Sequence, residues 1–529
     1  MPVALVIAGR LAPLTKGNED ESFVGRVWID DEGNVERLTR RGAPAPSGFT
    51  NAPVVDLGSD AVVYPGFVDL HSHLAYNSLP LWSEDGEPHP YLHRDIWPGR
   101  PTYKPDVAWP AWSLMNAAPE SVYAYVQVRA LAGGTTAIQG WPMASRPPAN
   151  RLVRSIDDDQ VGPVEDPTSV SVQKLPKAEL RARQREVLST GRSFIYHLAE
   201  GQRGSNVAKE LDDMSGATWS ALQPGLIAIH CCALDADGFA TWKSKAMPGR
   251  GKTAGTVVWS PFSNLWLYGS TTLVPDALAS KVGVVLGTDW GPSGTKNLLG
   301  EIKVARLWSD HEQWDLTDAD LVRMITSAPG DALARAWQQP VGRLVRGALG
   351  DVTVLARRHR DVWANVVRAR DSDVSLVVVG GVPRFGTVPL MQAAGARNTT
   401  AVPIGSAARR VTLVRPDDTN TTWTWTDVVR RLDAARADAA RNPPRGPAGA
   451  RGRRRRRPAL AGDPEGTPPI AVRLDMPGGP MATAGPPPAG QTVRIPPIEP
   501  LQHDRRWLAS IRGRGFHGGV LDDLRDFYV

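Results

Sequence analysis

The nine residues Pro65-Gly66-Phe67-Val68-Asp69-Leu70-His71-Ser72-His73 decide how the rest of the chain is read. An apolar run closes on two histidines spaced i, i+2. In a strand such residues point the same way, so both imidazoles can serve one metal from one strand end. A lone His-x-His is more often bland than functional, and what changes its weight is company. Phe194-Ile195-Tyr196-His197-Leu198-Ala199-Glu200, Ile227-Ala228-Ile229-His230-Cys231 and Val285-Leu286-Gly287-Thr288-Asp289 each set a ligand-type side chain directly after an apolar run. The chain has ten histidines, and four of them stand at these places.

Working outward, apolar runs rich in β-branched residues recur at 62–70, 135–139, 151–156, 169–173, 193–197, 226–231, 256–260 and 282–287. Helix-like stretches at 119–132, 177–190 and 317–337 fall between or after them. Strands alternating with helices in this way predict an α/β fold, a parallel (β/α)8 TIM barrel over residues 62–345, with ligand-type residues at its C-terminal face. The third and fourth runs carry the weakest signal, because the loop between them is acidic and contains proline. Short alternating strands at 3–57 and 350–386 predict a small β-sandwich formed by both flanks of the barrel, residues 1–61 and 346–390. Residues 391–440 then extend the body.

From Arg441 to Pro500 there are 15 prolines and 9 glycines in 60 residues, with the run Arg453 to Arg457 inside and no hydrophobic period. This composition predicts a disordered Arg/Pro/Gly-rich linker over 441–500. Residues 501–529 regain Trp507, Leu508, Ile511, Phe516, Leu521, Leu524, Phe527 and Tyr528 and read as a docking segment. A chain ending near Asn442 is expected to fold like the full one, with 501–529 as the weak point of that expectation. The net charge of +6 belongs to the linker: eight arginines and no acids lie between 441 and 457, and the rest of the chain sits at about −2. Without interleaved aromatics or a recognisable module, the arginine run argues for a solvated segment and against nucleic acid.

The chain has 529 residues, which allows two to four domains. No apolar stretch reaches membrane-spanning length, and Arg10 interrupts the first apolar stretch with no cleavage-like site after it, so neither a span nor a secretory signal is expected. The two cysteines, Cys231 and Cys232, are neighbours and poorly placed to bond each other. That excludes a disulfide framework and suits a cytoplasmic protein.

The ordered set His71-x-His73, His197-x-x-Glu200, His230 and Gly287-Thr288-Asp289 resembles the metal-dependent amidohydrolase superfamily, in its chlorohydrolase and cytosine or S-adenosylhomocysteine deaminase branch. Ser260-Pro261-Phe262-Ser263-Asn264-Leu265 is similar to that branch's turn after strand seven. Val341 to Leu344 and Gly350 to Leu355 are similar to its return into the sandwich. The resemblance covers roughly residues 1–390. It implies one divalent metal, Zn2+ or alternatively Fe2+, on His71, His73, His197 and Asp289. It also implies that Glu200 moves the proton of a metal-activated water, that His230 hydrogen-bonds the water or the developing oxyanion, and that Asp289 accepts a hydrogen bond from the same water. The activity implied is hydrolysis of a carbon–nitrogen bond other than a peptide bond, deaminating or opening a small heterocycle or amidine-like compound. A cyclic amidase or a dehalogenase using the same site, and an inactive barrel kept as a binding protein, are the rival readings. Partners reduce to a small-molecule substrate, with a homo-oligomer left open.

Other features of the sequence compete with this set. Lys174, at the end of the expected fourth strand, is where another branch places a carbamylated lysine between two metals; a solvated loop lysine is favoured. Cys231 and Cys232 read as inert core thiols. The loop after His73 carries Trp82, His89, Tyr91, His93, Trp97, Tyr103, Trp109 and Trp112, in a chain with 18 tryptophans. Either the rings line an apolar substrate pocket, or they pack the loop onto the barrel rim. Pro88 and Pro90 argue against a helix that would align His89 and His93 as ligands.

Overall fold

The apolar run at 62–70, expected as one strand, is two. The break falls at Pro65-Gly66: Pro65 has no N–H to donate, and a Cβ on Gly66 would lie 2.1 Å from Thr136 Oγ1 on the neighbouring strand. The chain therefore leaves one sheet at Pro65 and enters another at Phe67. These features come from a computed structural model that describes residues 3–84, 86–141, 143–144, 151–157, 164–165, 177–216, 218–246, 253–337, 339–404, 407–413, 423–441, 472–473, 487–488, 490–498, 501 and 504–528.

Ala61–Pro65 pairs in parallel with Leu5–Leu11 and antiparallel with Val352–Ala356. It thereby joins strands from both flanks into one ten-stranded sheet that ends at Val35–Arg40 on one side and Thr399–Ile404 on the other. The sheet runs past residue 390 to Thr412. Its core draws on both flanks, with Leu5, Ile7, Val27 and Val63 packed with Val352, Val354 and Leu376.

Phe67–Asp69 opens a three-stranded parallel sheet with Thr135–Ile138 and Arg154–Ser155. A five-stranded parallel sheet follows in chain order: Val164–Glu165, Ser193–Leu198, Leu226–His230, Thr256–Trp259 and Gly283–Leu286. The run at 169–173, expected as the fourth strand, lies outside the described residues, and the segment paired with Ser193–Leu198 is Val164–Glu165. Ser193–Leu198, Leu226–His230 and Thr256–Trp259 are buried on both faces, as parallel strands between helices must be. Val68, Ala137, Ile195, Ile227, Val258 and Val285 meet in one buried cluster, joined by Leu333 and Trp337. The last and first of these strands approach each other at both ends. Ser72 bridges Asp289 in parallel, while Leu286 N and Val68 N donate to the carbonyls of Met324 and Ile325 at 2.9 Å each. Those two carbonyls are thus used by strands, and the helix expected over 317–337 is broken into Asp318–Arg323 and Ser327–Leu333. Pro119–Ala132 is helical throughout as expected, and the helix expected over 177–190 is Lys177–Ser189.

The C-terminal residues dock. Asp504–Ile511 is a helix that buries Trp507 and Ile511, and the turn at Val520–Phe527 buries Leu521 and Leu524. Trp507 sits 5.5 Å from the Phe262 ring, His517 stacks on Trp266, and Arg514 Nε donates to Ser83 Oγ at 2.9 Å. Most of the expected linker at 441–500 lies outside the described residues, but Val493 and Ile495 within it are buried against the body. A chain ending near Asn442, expected to fold like the full one, would lose these contacts. Leu521→Ala alone should cost about 2–5 kcal/mol, read as a lowered urea midpoint with unchanged slope. A change within error would mean the segment is an ornament. Among the described residues no helix is long and apolar enough to cross a membrane.

Candidate metal and catalytic site

His71, His73, His197, His230, Glu200 and Asp289 all reach one place, and each is at most 4% exposed. Simple strand alternation does not bring them there. Ile195 belongs to the interior cluster, so His197 two residues on shares its direction, but Glu200 does not follow by parity. Ala199, at φ 50°, makes the correction. Likewise Ile227 and Ile229 are interior, which would turn His230 outward if the strand ran on, yet His230 and Cys231 sit at φ 70° and 54°. Asp289 is a fourth non-glycine residue in the left-handed region, at φ 57°. Such conformations cost about 1–3 kcal/mol each and persist where the surroundings impose them.

The hydrogen bonds around the site determine the tautomers. Gln139 Nε2 donates to Asp157 Oδ1 at 3.1 Å, which leaves Gln139 Oε1 to accept from His71 Nδ1 at 3.2 Å. With its Nδ1 engaged there, His71 turns Nε2 to the centre, 2.9 Å from Asp289 Oδ1. His73 Nε2 lies 3.6 Å from the same oxygen. His73 Nδ1 and both nitrogens of His197 have no protein partner. Two ligand groups arise from these atoms, His71 with His197 and His230, and His71 with His73 and Asp289, each with one ligand atom per residue within 4.8 Å of the others. Burial, before the neighbouring charges, pushes His73 down to about 3 and His197 well below its ordinary value, so both imidazoles are neutral. Burial opposes charge on Asp289, but His230 and His71 beside it hold its carboxyl well below the usual range. Neutral imidazoles with open lone pairs converging on a carboxylate are the donor set of a divalent ion.

His230 differs from the other three. Trp259 Nε1, a donor only, bonds Thr271 Oγ1 at 2.8 Å, and Thr271 passes its own proton to Asn264 Oδ1 at 3.2 Å. Asn264 Nδ2 then faces His230 Nδ1 at 3.0 Å as a donor. The proton of neutral His230 is left on Nε2, 3.8 Å from Glu200 Oε2 and 3.9 Å from Asp289 Oδ2. In this tautomer His230 turns an N–H donor toward the centre.

Glu200 has one oxygen held and one open. Tyr268 Oη donates to Oε1 at 2.6 Å, and Oε2 has no protein partner. Burial pushes the carboxyl up to about 7 against the pull of Arg94 and Tyr268. Arg94 reaches Glu210 with both terminal nitrogens, while Glu210 Oε2 also accepts from Ala199 N at 2.9 Å, tying down the turn that carries Glu200. Asp69 does the same for the first and last strand ends, accepting from His71 N, Thr288 N and Thr288 Oγ1. Burial raises its carboxyl to about 6.

The remaining expectations divide. Cys231 and Cys232 are buried, and burial pushes both thiols up, which makes them inert. Lys174 lies outside the described residues. His93 pairs with Asp95 at 3.8 Å, and neither His89 nor His93 is among the ligand groups of the described residues. Trp82, Trp97, Tyr103 and Trp290 are buried against one another, with Trp97 and Trp290 stacked at 5.0 Å, so these rings pack the loop beside Asp289. Asp69, Gln139 and Tyr268 had no role assigned from sequence. Asp69 alone carried a signal, standing two residues before His71 on the same strand face.

No protein-family profile matches the chain. Among curated relatives, the 5-methylthioadenosine/S-adenosylhomocysteine deaminase of Moorella thermoacetica is 27% identical over 376 residues, covering 64% of this chain and 84% of that protein. The protein of the same name from Desulfitobacterium hafniense is 24% identical over 327 residues, 57% of this chain and 73% of its own. Two solved structures share the fold. Guanine deaminase from Bradyrhizobium japonicum has a TM-score of 0.52 at 15% identity, covering 72% of this chain and 99% of its own. Triazine hydrolase from Arthrobacter aurescens has a TM-score of 0.52 at 16% identity, covering 72% and 94%.

Proposed function

The chain belongs to the metal-dependent amidohydrolase superfamily and is a hydrolase of carbon–nitrogen bonds other than peptide bonds, and from this we infer that it deaminates a small nitrogen heterocycle, with adenine-bearing nucleosides such as 5-methylthioadenosine as first candidates. The eight parallel strands are read as a (β/α)8 barrel closed between Ser72 and Asp289, carrying a small β-sandwich built by both flanks. His71, His73, His197 and Asp289 would hold one divalent ion, zinc before ferrous iron. The observation that carries this reading is the convergence of His71 Nε2 and Asp289 Oδ1, 2.9 Å apart, beside imidazole nitrogens of His73 and His197 that no protein group satisfies. When bound, such an ion supplies a water acidified to a pKa of about 7.

The protein's own groups then divide the work. Glu200 Oε2 takes a proton from the attacking water and returns it to the departing nitrogen as the C–O bond forms and the C–N bond breaks, releasing ammonia. His230, its proton fixed on Nε2, donates to the oxygen on which negative charge develops. Asp289 Oδ2 accepts from the same water.

Metal analysis by mass spectrometry, with an ammonia-release assay on 5-methylthioadenosine, S-adenosylhomocysteine, adenosine, guanine and the triazine atrazine, tests the reading. The expected result is about one tightly held divalent metal per chain and ammonia from at least one purine compound. Chloride from atrazine without ammonia from any purine would turn the reading to dehalogenation, and protein that binds neither zinc nor iron would sink it. Two equivalents, one of them lost on Lys174→Ala, would place the chain in the two-metal branch.

A further inference from the structure

Tyr268 is the last residue of the helix Pro261–Tyr268, one turn beyond Asn264, so the two share a helix face. Asn264 sets the proton of His230, and Tyr268 reaches Glu200. The direction of the bonds at Tyr268 is not open. Trp97 Nε1 can only donate, and it donates to Tyr268 Oη at 3.0 Å. The phenol's own proton then goes to Glu200 Oε1, 2.6 Å away. Burial, and then the charge of Glu200, keep the phenol protonated far above neutral pH.

We propose that Tyr268, oriented by Trp97, is a positioning residue that ties up Glu200 Oε1 and leaves Oε2 as the single oxygen through which the proton travels. An oxygen that already faces the Tyr268 proton has no room for a second one on that side. Both halves of the transfer, from water to carboxylate and from carboxylate to leaving nitrogen, therefore pass through Oε2, beside His230 Nε2. Holding the carboxylate in one rotamer also removes a torsional search from each turnover. This rests on the reading of Glu200 given above and adds to it the group that decides which oxygen works.

Tyr268→Phe removes the hydroxyl and keeps the ring. With 5-methylthioadenosine as probe, it should lower kcat about 10- to 100-fold, the range for losing a hydrogen bond to a charged group, with KM and metal content little changed. The decisive comparison is a double-mutant cycle with Glu200→Gln. A residue that acts through Glu200 costs nothing further once Glu200 no longer moves protons. Trp97→Phe, which removes the donor that orients the hydroxyl, should give a smaller kcat loss that also vanishes in the Glu200→Gln background; it serves as the second probe if Tyr268→Phe melts early. The same fold-loss in both backgrounds would make Tyr268 a structural residue and overturn the proposal, as would wild-type kcat in Tyr268→Phe while Glu200→Gln is impaired. Full activity in Glu200→Gln would instead bring down the reading of Glu200 itself, and this proposal with it.

Discussion

Glu200→Gln should fold, hold its metal and lose turnover by about 10²- to 10⁴-fold, the range by which a positioned acid or base assists proton transfer. The amide keeps nearly the volume of the carboxylate and can still accept from Tyr268, so packing and metal content are not expected to move. What it lacks is a lone pair basic enough to take a proton from water. Burial pushes the wild-type carboxyl up to about 7, the range that suits the proposed proton transfer near neutral pH. Ammonia release measured beside metal content separates the outcomes, and a variant with wild-type turnover would show that another group carries the proton.

His197→Ala should instead empty the metal site. Its imidazole is fully buried, uncharged, and has no protein partner for either nitrogen. Truncation removes one of the converging lone pairs without opening a route for water. Metal content should fall from about one equivalent to a trace, and activity with it. A thermal readout is independent of activity: an ion that binds the folded state alone stabilises it by about 2.7 kcal/mol at a hundredfold excess over Kd, so added zinc should raise the melting temperature of the wild type and leave that of His197→Ala unmoved. A variant that keeps a full equivalent of zinc and the same thermal response would remove His197 from the ligand set.

Much of this arrangement was legible in the sequence because its signals are local. A histidine or aspartate directly after an apolar run is visible at 71, 197, 230 and 289, and the strands that carry them form where the runs stand. What was not legible depends on partners far away in the chain. Gln139 meets His71 and Tyr268 meets Glu200 across 68 residues each, and nothing within a few positions of either marks the meeting. The split of the run was half visible, since Pro65 stands in the sequence while the Thr136 side chain that crowds Gly66 lies across the sheet. The broken helix at 317–337 depends on carbonyls claimed by Val68 and Leu286. The left-handed turns at Ala199 and His230 escaped notice because neither is a glycine, the residue that usually announces such a turn.

Those turns also limit how the site can be moved. An engineer copying the histidines, the glutamate and the aspartate onto the ends of other parallel strands would reproduce the residue types but not the directions, because an ordinary strand end would send the counterparts of Glu200 and His230 to the opposite face. The portable unit is larger than the ligand list. It includes the Ala199 hinge with the Glu210 carboxylate that accepts its N–H, and the His230–Cys231 hinge with Thr272, whose hydroxyl bonds the His230 carbonyl. A graft without these anchors would have to find another way to hold two backbone conformations that alanine and histidine avoid when left to themselves.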